Sequence, residues 1–533
     1  MTPYQTARLL LLSLSLAYTT SSCSHEDSSP GSEDVSFDFS FQQNDGTTDT
    51  GSDISGADTS ADLEEDSTQD MGNTDTETDT SSHDMHLPDS LSDADLGIVL
   101  TEGGGSFTVQ IEEGDFSIAV RVFYPDAENS RYAEGAPILV QVPGGHSPGS
   151  LDPEAIKVET VEHGYIIVQY LMPGGRSPDG AISTGEFDYR LRESATATGL
   201  VLLYAQGQLT DSEGATIQDS IEHALTDHVG IVGLSNGGNL AIMTAVSIPE
   251  SFESIRWLIT WESPIGDQYV TVDLGGNNQL NPLYVPGTCD FEMGCPLGGL
   301  EELLRFDDTV TYILEDNATD TSLELEGVFY ADINRNDLLD EDDFRFNGLA
   351  GPGEVFGEIH YPKLYLSDNL SNIISEIGEE LFGGPPPTWL ADVPLTAEYW
   401  KAKDALPNLR DFSALFRALP IMVLGSLEDH VQGQPDHPHI LTFLQGLAAH
   451  DHQWFRLNPD SAYQFHVDGG FPFDYPDNIA NTVPTYPGID SWLALEPRPD
   501  SVPNAVIQAA VLEMMDRANW DDWSSNLENV MIP

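Results

Sequence analysis

Apolar and polar residues alternate over Phe107–Ile111 and again over Ser117–Val122. That period of two predicts an antiparallel pair at a sheet edge, one face buried. The runs Pro137–Val142 and Tyr165–Tyr170 are denser in branched apolar side chains and enclose a helical stretch over Asp152–Glu162, which predicts a βαβ unit. The alternation continues through a helix over Asp188–Gln206, a strand closing at Gly233, a helix opening at Asn236 and the run Trp257–Trp261. It lapses from Ser263 to Ala418. It then resumes with Ile421–Leu424, a helix near Pro438–Ala449, the strand Trp454–Leu457 and a last helix near Asn504–Met515. Strands that alternate with helices imply an α/β architecture whose mostly parallel sheet is covered on both faces.

The two ends of the chain change that picture. Met1–Cys23 carries Arg8 as its only charge, a largely apolar run from Leu9 to Tyr18, and small residues before Cys23. The run is too short to span a bilayer. It resembles a bacterial lipoprotein signal in which Cys23 becomes the lipidated first residue, with Thr20-Ser21-Ser22 in place of the usual upstream leucine. Export is expected, to the cell surface, the periplasm or the medium, with membrane attachment only through that anchor. Residues 24–96 are rich in Ser, Thr, Asp and Gly, with 21 acidic residues and no lysine or arginine. Such a stretch buries too little apolar surface to offset chain entropy and is expected to be a disordered tether.

The full chain has 89 acidic against 19 basic residues, a formal net charge of −70, and most of the acids lie beyond Leu96. That charge argues against nucleic acid or an anionic membrane face as a partner. The remaining two cysteines, Cys289 and Cys295, stand in PGTCDFEMGCP and read as a small disulfide loop in an exported protein.

The segment with the most chemistry is His228–Leu240, HVGIVGLSNGGNL, where a branched apolar strand runs into a helix through Gly-x-Ser-x-Gly. A serine in so sharp a turn needs neighbours without a Cβ, because the helix must pass close to the strand just left. Ser235 is therefore the candidate nucleophile. With this motif in place, the order of elements from Thr101 to Met515 resembles the α/β-hydrolase fold, most closely the dienelactone-hydrolase and prolyl-oligopeptidase group of catalytic domains. The resemblance implies a core over residues 97–262 and 419–533, and a cap inserted over 263–418 after the sixth strand.

The same resemblance implies the rest of the site. A serine hydroxyl needs a base to take its proton and a carboxylate to orient that base. Ile421-Met-Val-Leu-Gly-Ser-Leu-Glu-Asp-His-Val-Gln is similar to the family's acid-bearing turn, with Asp429 in the acid position; Glu428 and Glu262 are the other carboxylates to test. His466, in NPDSAYQFHVDGG, follows the last strand in the order Ser, Asp, His and is the preferred base over His450, His452, His430, His437 and His439. The oxyanion of acyl transfer would be held by the amide of Asn236 and by the loop Pro143-Gly144-Gly145-His146-Ser147. A similar loop, Pro173-Gly174-Gly175-Arg176-Ser177, follows the next strand.

A second signal lies in the insertion. Asp332, Asn334, Asn336, Asp340 and Asp343 fall at loop positions 1, 3, 5, 9 and 12 of a calcium-binding EF-hand loop, with the carbonyl of Leu338 at position 7. Asp337 stands where glycine is usual. The expectation is an exported serine hydrolase with no catalytic cofactor and a structural Ca2+, acting on a small ester or peptide substrate, carboxylic ester hydrolysis preferred. A serine peptidase and a surface binding protein that kept the fold without the chemistry are the competing readings.

Overall fold

The computed structural model describes residues 99–101, 103–114, 116–145, 147–157, 163–267, 273–274, 281–316, 321–346, 349–350, 363–425, 431, 437–459, 478–479 and 504–523. The contacts divide the chain into Met1–Leu87 and Pro88–Pro533. The first unit, with the expected signal and most of the expected tether, lies outside the described residues. All of the described elements belong to the second.

Its strands are β1 (Val99–Thr101), β2 (Gly104–Glu113), β3 (Phe116–Pro125), β4 (Ala136–Val142), β5 (Ile166–Tyr170), β6 (Ala224–Leu234), β7 (Ile255–Trp261), β8 (Leu304–Asp316), β9 (Thr321–Ala331), β10 (Phe344–Arg345), β11 (Leu349–Ala350), β12 (Leu364–Tyr365), β13 (Ile421–Leu424), β14 (Phe455–Leu457) and β15 (Asn478–Ile479). The longer helices are α1 (Arg192–Ala205), α2 (Asn236–Ser247), α3 (Asp368–Phe382), α4 (Val393–Lys403), α5 (Leu409–Phe416), α6 (Pro438–Ala449) and α7 (Asn504–Trp520).

The main sheet has the order β1-β2-β3-β5-β4-β6-β7-β13-β14-β15. From β5 to β14 all neighbours are parallel. The edges β1-β2-β3 and β15 are antiparallel. Because β1 precedes the predicted edge pair, the strand expected to be sixth is β7. The parallel strands send alternate side chains to two cores, as a doubly covered sheet requires. Ile138, Val140, Ile231, Leu258 and Ile421 join the core packed by α1 and α2. Leu139, Val232, Ile259 and Met422 join the one covered by α7. With its sharp serine turn between β6 and α2, this is the α/β-hydrolase fold.

One local expectation needs correction and another is described only in part. The crossover helix predicted over Asp152–Glu162 shows a 3-10 turn at Pro153–Ala155, capped by Asp152 and followed by an extended Ile156, and its residues after Lys157 lie outside the described residues. The helix predicted from Asp188 opens instead at Arg192. The Asp188 carboxylate accepts the amides of Leu191, Glu193 and Ser194 from outside the helix, while Tyr189 and Arg190 between them hold positive φ.

The insertion is joined to the sheet through a shared core. The apolar cluster that contains Leu258 and Ile421 runs on through Leu304, Phe329, Leu366 and Trp400. Its exit is pinned by buried polar groups. Asn239 of α2 donates to the carbonyl of Pro264 at 2.8 Å and accepts the amide of Ala405 at 3.0 Å. Asp404 accepts the amides of Gly266 at 2.8 Å and Leu406 at 2.9 Å. Lys403 lies 3.5 Å from Asp267, both buried. On the far side of the sheet Glu513 of α7 takes Arg456 of β14 at 2.7 Å and Arg517 at 2.8 Å, all three with no exposed surface.

Burial pushes the Asp404 carboxyl up to about 7, with the charge of Asp267 adding to the rise. Burial likewise pushes Asp273 up to about 8, in spite of the hydroxyl of Ser367 that bonds it. A carboxyl raised above its unfolded value makes the folded state hold more protons. Its contribution to stability is complete below the unfolded pKa and is lost as pH rises through the folded one. The melting temperature should therefore fall less between pH 5 and pH 8 in Asp404→Asn than in the parent chain, because the amide keeps the acceptor and removes the titration. Parallel melting curves for the two proteins would show no acid–base role for Asp404.

Candidate active site

Ser235 sits at the carboxyl edge of the sheet between β6 and α2, with φ 49° and ψ −121°. Such a backbone is strained for a residue with a side chain and marks the sharp strand-to-helix turn at the candidate nucleophile. The glycines around it make the turn sterically open. A Cβ on Gly233 would stand 2.6 Å from the Cα of Gly238. One on Gly237 would overlap the carbonyl oxygen of Val142, and one on Gly238 the hydroxyl of Ser263. The turn is held to the next strand by the Ser235 amide, which donates to the carbonyl of Trp261 at 2.8 Å.

The oxyanion candidates lie where they are needed. A Cβ on Gly144 would overlap the carbonyl oxygen of Leu234 and stand 3.1 Å from the Cβ of Ser235, so the loop after β4 lies directly against Ser235. Asn236 clasps that loop through Nδ2, which donates to the carbonyl of Gly145 at 3.3 Å. Among the described residues the backbone amides of Gly145 and Asn236 donate to no group. The second glycine loop differs: Gly174 donates to Ser183 at 3.2 Å and Gly175 to Met172 at 3.0 Å. Of these two loops, among the described residues, the one after β4 has the glycine amide without an acceptor.

One residue that the sequence did not single out stands behind that loop. Arg190, with φ 70° and almost wholly buried, donates through Nη2 to the carbonyls of Gly144 at 2.6 Å, Ser147 at 3.0 Å and Pro143 at 3.5 Å. Its guanidinium also lies over the ring of Phe187 at 5.5 Å. Burial pulls its pKa down to about 10, with Tyr170 and Asp188 acting the other way, so it stays charged at neutral pH.

Asp429, Glu428, His430 and His466 lie outside the described residues. The stems from which their loops depart are described and are bound together. Asn458, just after β14, accepts the amide of Gly425 at 3.1 Å through Oδ1 and donates to its carbonyl at 3.2 Å through Nδ2. Glu262 is fully buried at φ 41°, with its amide on the carbonyl of Leu424 at 2.8 Å. It closes β7, one strand from the nucleophile.

The other histidines are accounted for differently. His452 precedes β14, at the amino edge of a parallel sheet and so opposite Ser235. It is buried, with Nε2 2.6 Å from the carbonyl of Leu419 and its ring stacked on Phe412. Burial pulls its pKa down to about 4. His450 is edge-on to Phe291. His437 and His439 are both buried, 6.5 Å apart between ring centres.

The acidic loop of the insertion links β9 to β10, so it closes a hairpin rather than joining two helices. Asp332 is buried and accepts the amides of Asn336 and Asp337, each at 3.0 Å. Asp343 accepts those of Ile333 and Asp340, each at 3.0 Å. Asp340 takes the side-chain amides of Asn334 at 3.0 Å and Asn336 at 2.7 Å. Leu338 is exposed, and Asp337 has φ 58°, the left-handed geometry that its place in the loop demands. Among the described residues no three His, Cys, Asp or Glu side chains gather as ligands of one ion. Cys289 and Cys295 are joined in a disulfide and buried.

No family model matches the sequence, and no curated protein does. Among solved structures, the chain is similar to an α/β hydrolase enzyme, MGS-M1, from a Medee basin deep-sea metagenome library (15% identity over 31% of this chain and 58% of that one, TM-score 0.22). It is also similar to a bacterial heroin esterase (17%, 32% and 49%, TM-score 0.22) and to brefeldin A esterase, a bacterial homologue of human hormone sensitive lipase (12%, 81% and 79%, TM-score 0.30). The first two matches span about half of those proteins' lengths. Likenesses this distant carry no argument about activity, and any functional reading rests on the site.

If Gly144 is kept bare by the nucleophile turn, Gly144→Ala should slow reaction of Ser235 with a fluorophosphonate by tenfold or more while leaving a folded protein. Labelling at the parent rate would separate the loop from the turn.

Proposed function

We propose that this protein is a serine hydrolase that cleaves an ester, most simply a carboxylic ester, through an acyl-enzyme on Ser235. The observation that carries the reading is the strained serine at the carboxyl edge of the sheet with two uncommitted amides, of Asn236 and Gly145, beside it. In this reading His466 takes the proton of the hydroxyl and returns it to the leaving alcohol, and Asp429 orients the imidazole. The developing oxyanion is held by the two amides. Water then attacks the acyl-enzyme with the same histidine as base. The burial and position of Glu262 make it the carboxylate to compare with Asp429. A serine peptidase shares every one of these groups, and a panel of acyl esters and peptide amides separates the two. An exported, lipid-anchored form with a tether over residues 24–96, and a cap over 263–418 that restricts entry, belong to the same proposal.

Ser235→Ala should abolish turnover and fluorophosphonate labelling together; turnover that survives in this variant ends the proposal. His466→Ala should lower kcat by ~10⁴-fold or more, as triad members do, and His452→Gln should change it little. A large loss at His452 instead would move the base to another residue. Comparing Asp429→Asn with Glu262→Gln identifies the acid as the position with the larger loss of kcat.

Calcium is the proposed structural ligand of Asp332, Asn334, Asn336, Leu338, Asp340 and Asp343. A cation there would relieve the mutual repulsion of the carboxylates. Added calcium should then slow hydrogen exchange over residues 332–343 relative to chelated protein. Equal exchange in both would leave the loop as an acidic hairpin bonded within itself.

A further inference from the structure

We infer that Arg190 is the positioning residue of the oxyanion site: it sets the direction of the Gly145 amide by holding the carbonyls on the back of the loop. This rests on the serine hydrolase reading of Ser235. A trans peptide points its carbonyl and its amide in opposite directions. Nη2 of Arg190 binds the Gly144 carbonyl at 2.6 Å, so the N–H of the same peptide, that of Gly145, is turned away from the guanidinium. Asn236 takes the next carbonyl along, that of Gly145, from the α2 side. Two successive peptides are thus fixed from two different elements, and the Gly145 amide between them is left with no acceptor among the described residues.

Among the described residues, the side-chain hydrogen bonds to this loop come from Arg190 and Asn236. Gly145 has φ 68°, and its own Cβ position is open space. Glycines give the loop close approach to Ser235 but also let its peptides rotate. A loop whose amide is free to flip offers an oxyanion either a donor or a carbonyl oxygen, and only preorganised donors stabilise charge without reorganisation. A guanidinium suits the task because it stays protonated when buried and its Nη2, at the end of a long stem, reaches three carbonyls of the loop. Its charge also polarises the peptide it binds, so that the positive end of the dipole faces away from it.

Arg190 is itself fixed before any substrate arrives. Asp188, two residues earlier, is anchored on the first turn of α1, and Tyr189 and Arg190 follow at φ 56° and 70°. The side chain is therefore aimed back across the sheet edge by a strained turn held at the amino end of α1, and it reaches a loop more than forty residues upstream.

The test uses Arg190→Gly, which suits the positive φ and so removes the side chain without adding backbone strain. The expected result is a fall in kcat of about 100-fold, the loss typical of one missing oxyanion donor, with KM nearly unchanged. The affinity of a boronic acid, whose tetrahedral adduct carries the negative charge, should fall in parallel, while that of a product carboxylate stays the same. Methylguanidinium added to Arg190→Gly should restore part of kcat, which a purely structural loss would not allow. Should Arg190→Gly fail to fold, Arg190→Lys decides. It keeps the charge but its shorter stem ends short of the Nη2 position, and it should lose kcat and boronic acid affinity together. Parental kcat and boronic acid affinity in the folded variant overturn the inference and leave the hydrolase reading intact. Absence of turnover and of fluorophosphonate labelling in the parent chain ends the hydrolase reading itself.

Discussion

The close approach of α2 to the strand that precedes it governs this structure. Ser235 is held at φ 49° because the helix folds back over β6 with no side chain on Gly233, Gly237 or Gly238 to keep it off. The same approach brings the carbonyls of Val142 and Pro143 against Gly237 and the Gly144 loop against Ser235. Everything assembled at the edge of the sheet, from the oxyanion loop to the Trp261 carbonyl that anchors the turn, depends on those four bare positions. The strain at Ser235 is held by the packing around its turn, which is how strained backbones persist at functional sites.

Around that turn, buried polar groups do what apolar packing alone does not, which is to fix loops relative to one another. Arg190 joins α1 to the loop after β4, Asn458 joins the exits of β13 and β14, and Asn239 joins α2 to the return of the insertion. Each bridges segments far apart in sequence through a side chain that bonds backbone atoms. Such contacts are costly to leave half-made in a low dielectric, so they specify one arrangement. Together they tie the loops and elements around the nucleophile to one another.

How much of the molecule is legible in its sequence depends on the range of the interactions. The parallel strands and most helices are legible because each writes its own period into consecutive residues, and the nucleophile turn because its glycines lie within six positions. The helix expected over Asp152–Glu162 is described only as far as Lys157, and that part opens with a capped 3-10 turn. Arg190 escapes notice because Asp-Tyr-Arg before a helix reads as a solvated first turn. Its partners are more than forty residues away, and positive φ at two ordinary residues leaves no mark in composition. The two Pro-Gly-Gly loops are alike in sequence and differ there only in their place in the strand order, whereas in the structure the hydrogen bonds of their amides distinguish them. The acidic loop is legible as spacing, which suits a calcium loop and an acidic hairpin alike, and the structure places it at the turn of a hairpin.

The central claim is that Ser235 becomes acylated. Rapid mixing with an activated acyl ester, followed by acid quench and mass analysis of the peptides, tests it most directly. Acylation predicts a burst of alcohol equal to the enzyme present, and an acyl group on the peptide that carries Ser235 before steady state is reached. Steady turnover with no burst and no acylated Ser235 peptide, under conditions where the adduct survives the quench, would contradict it.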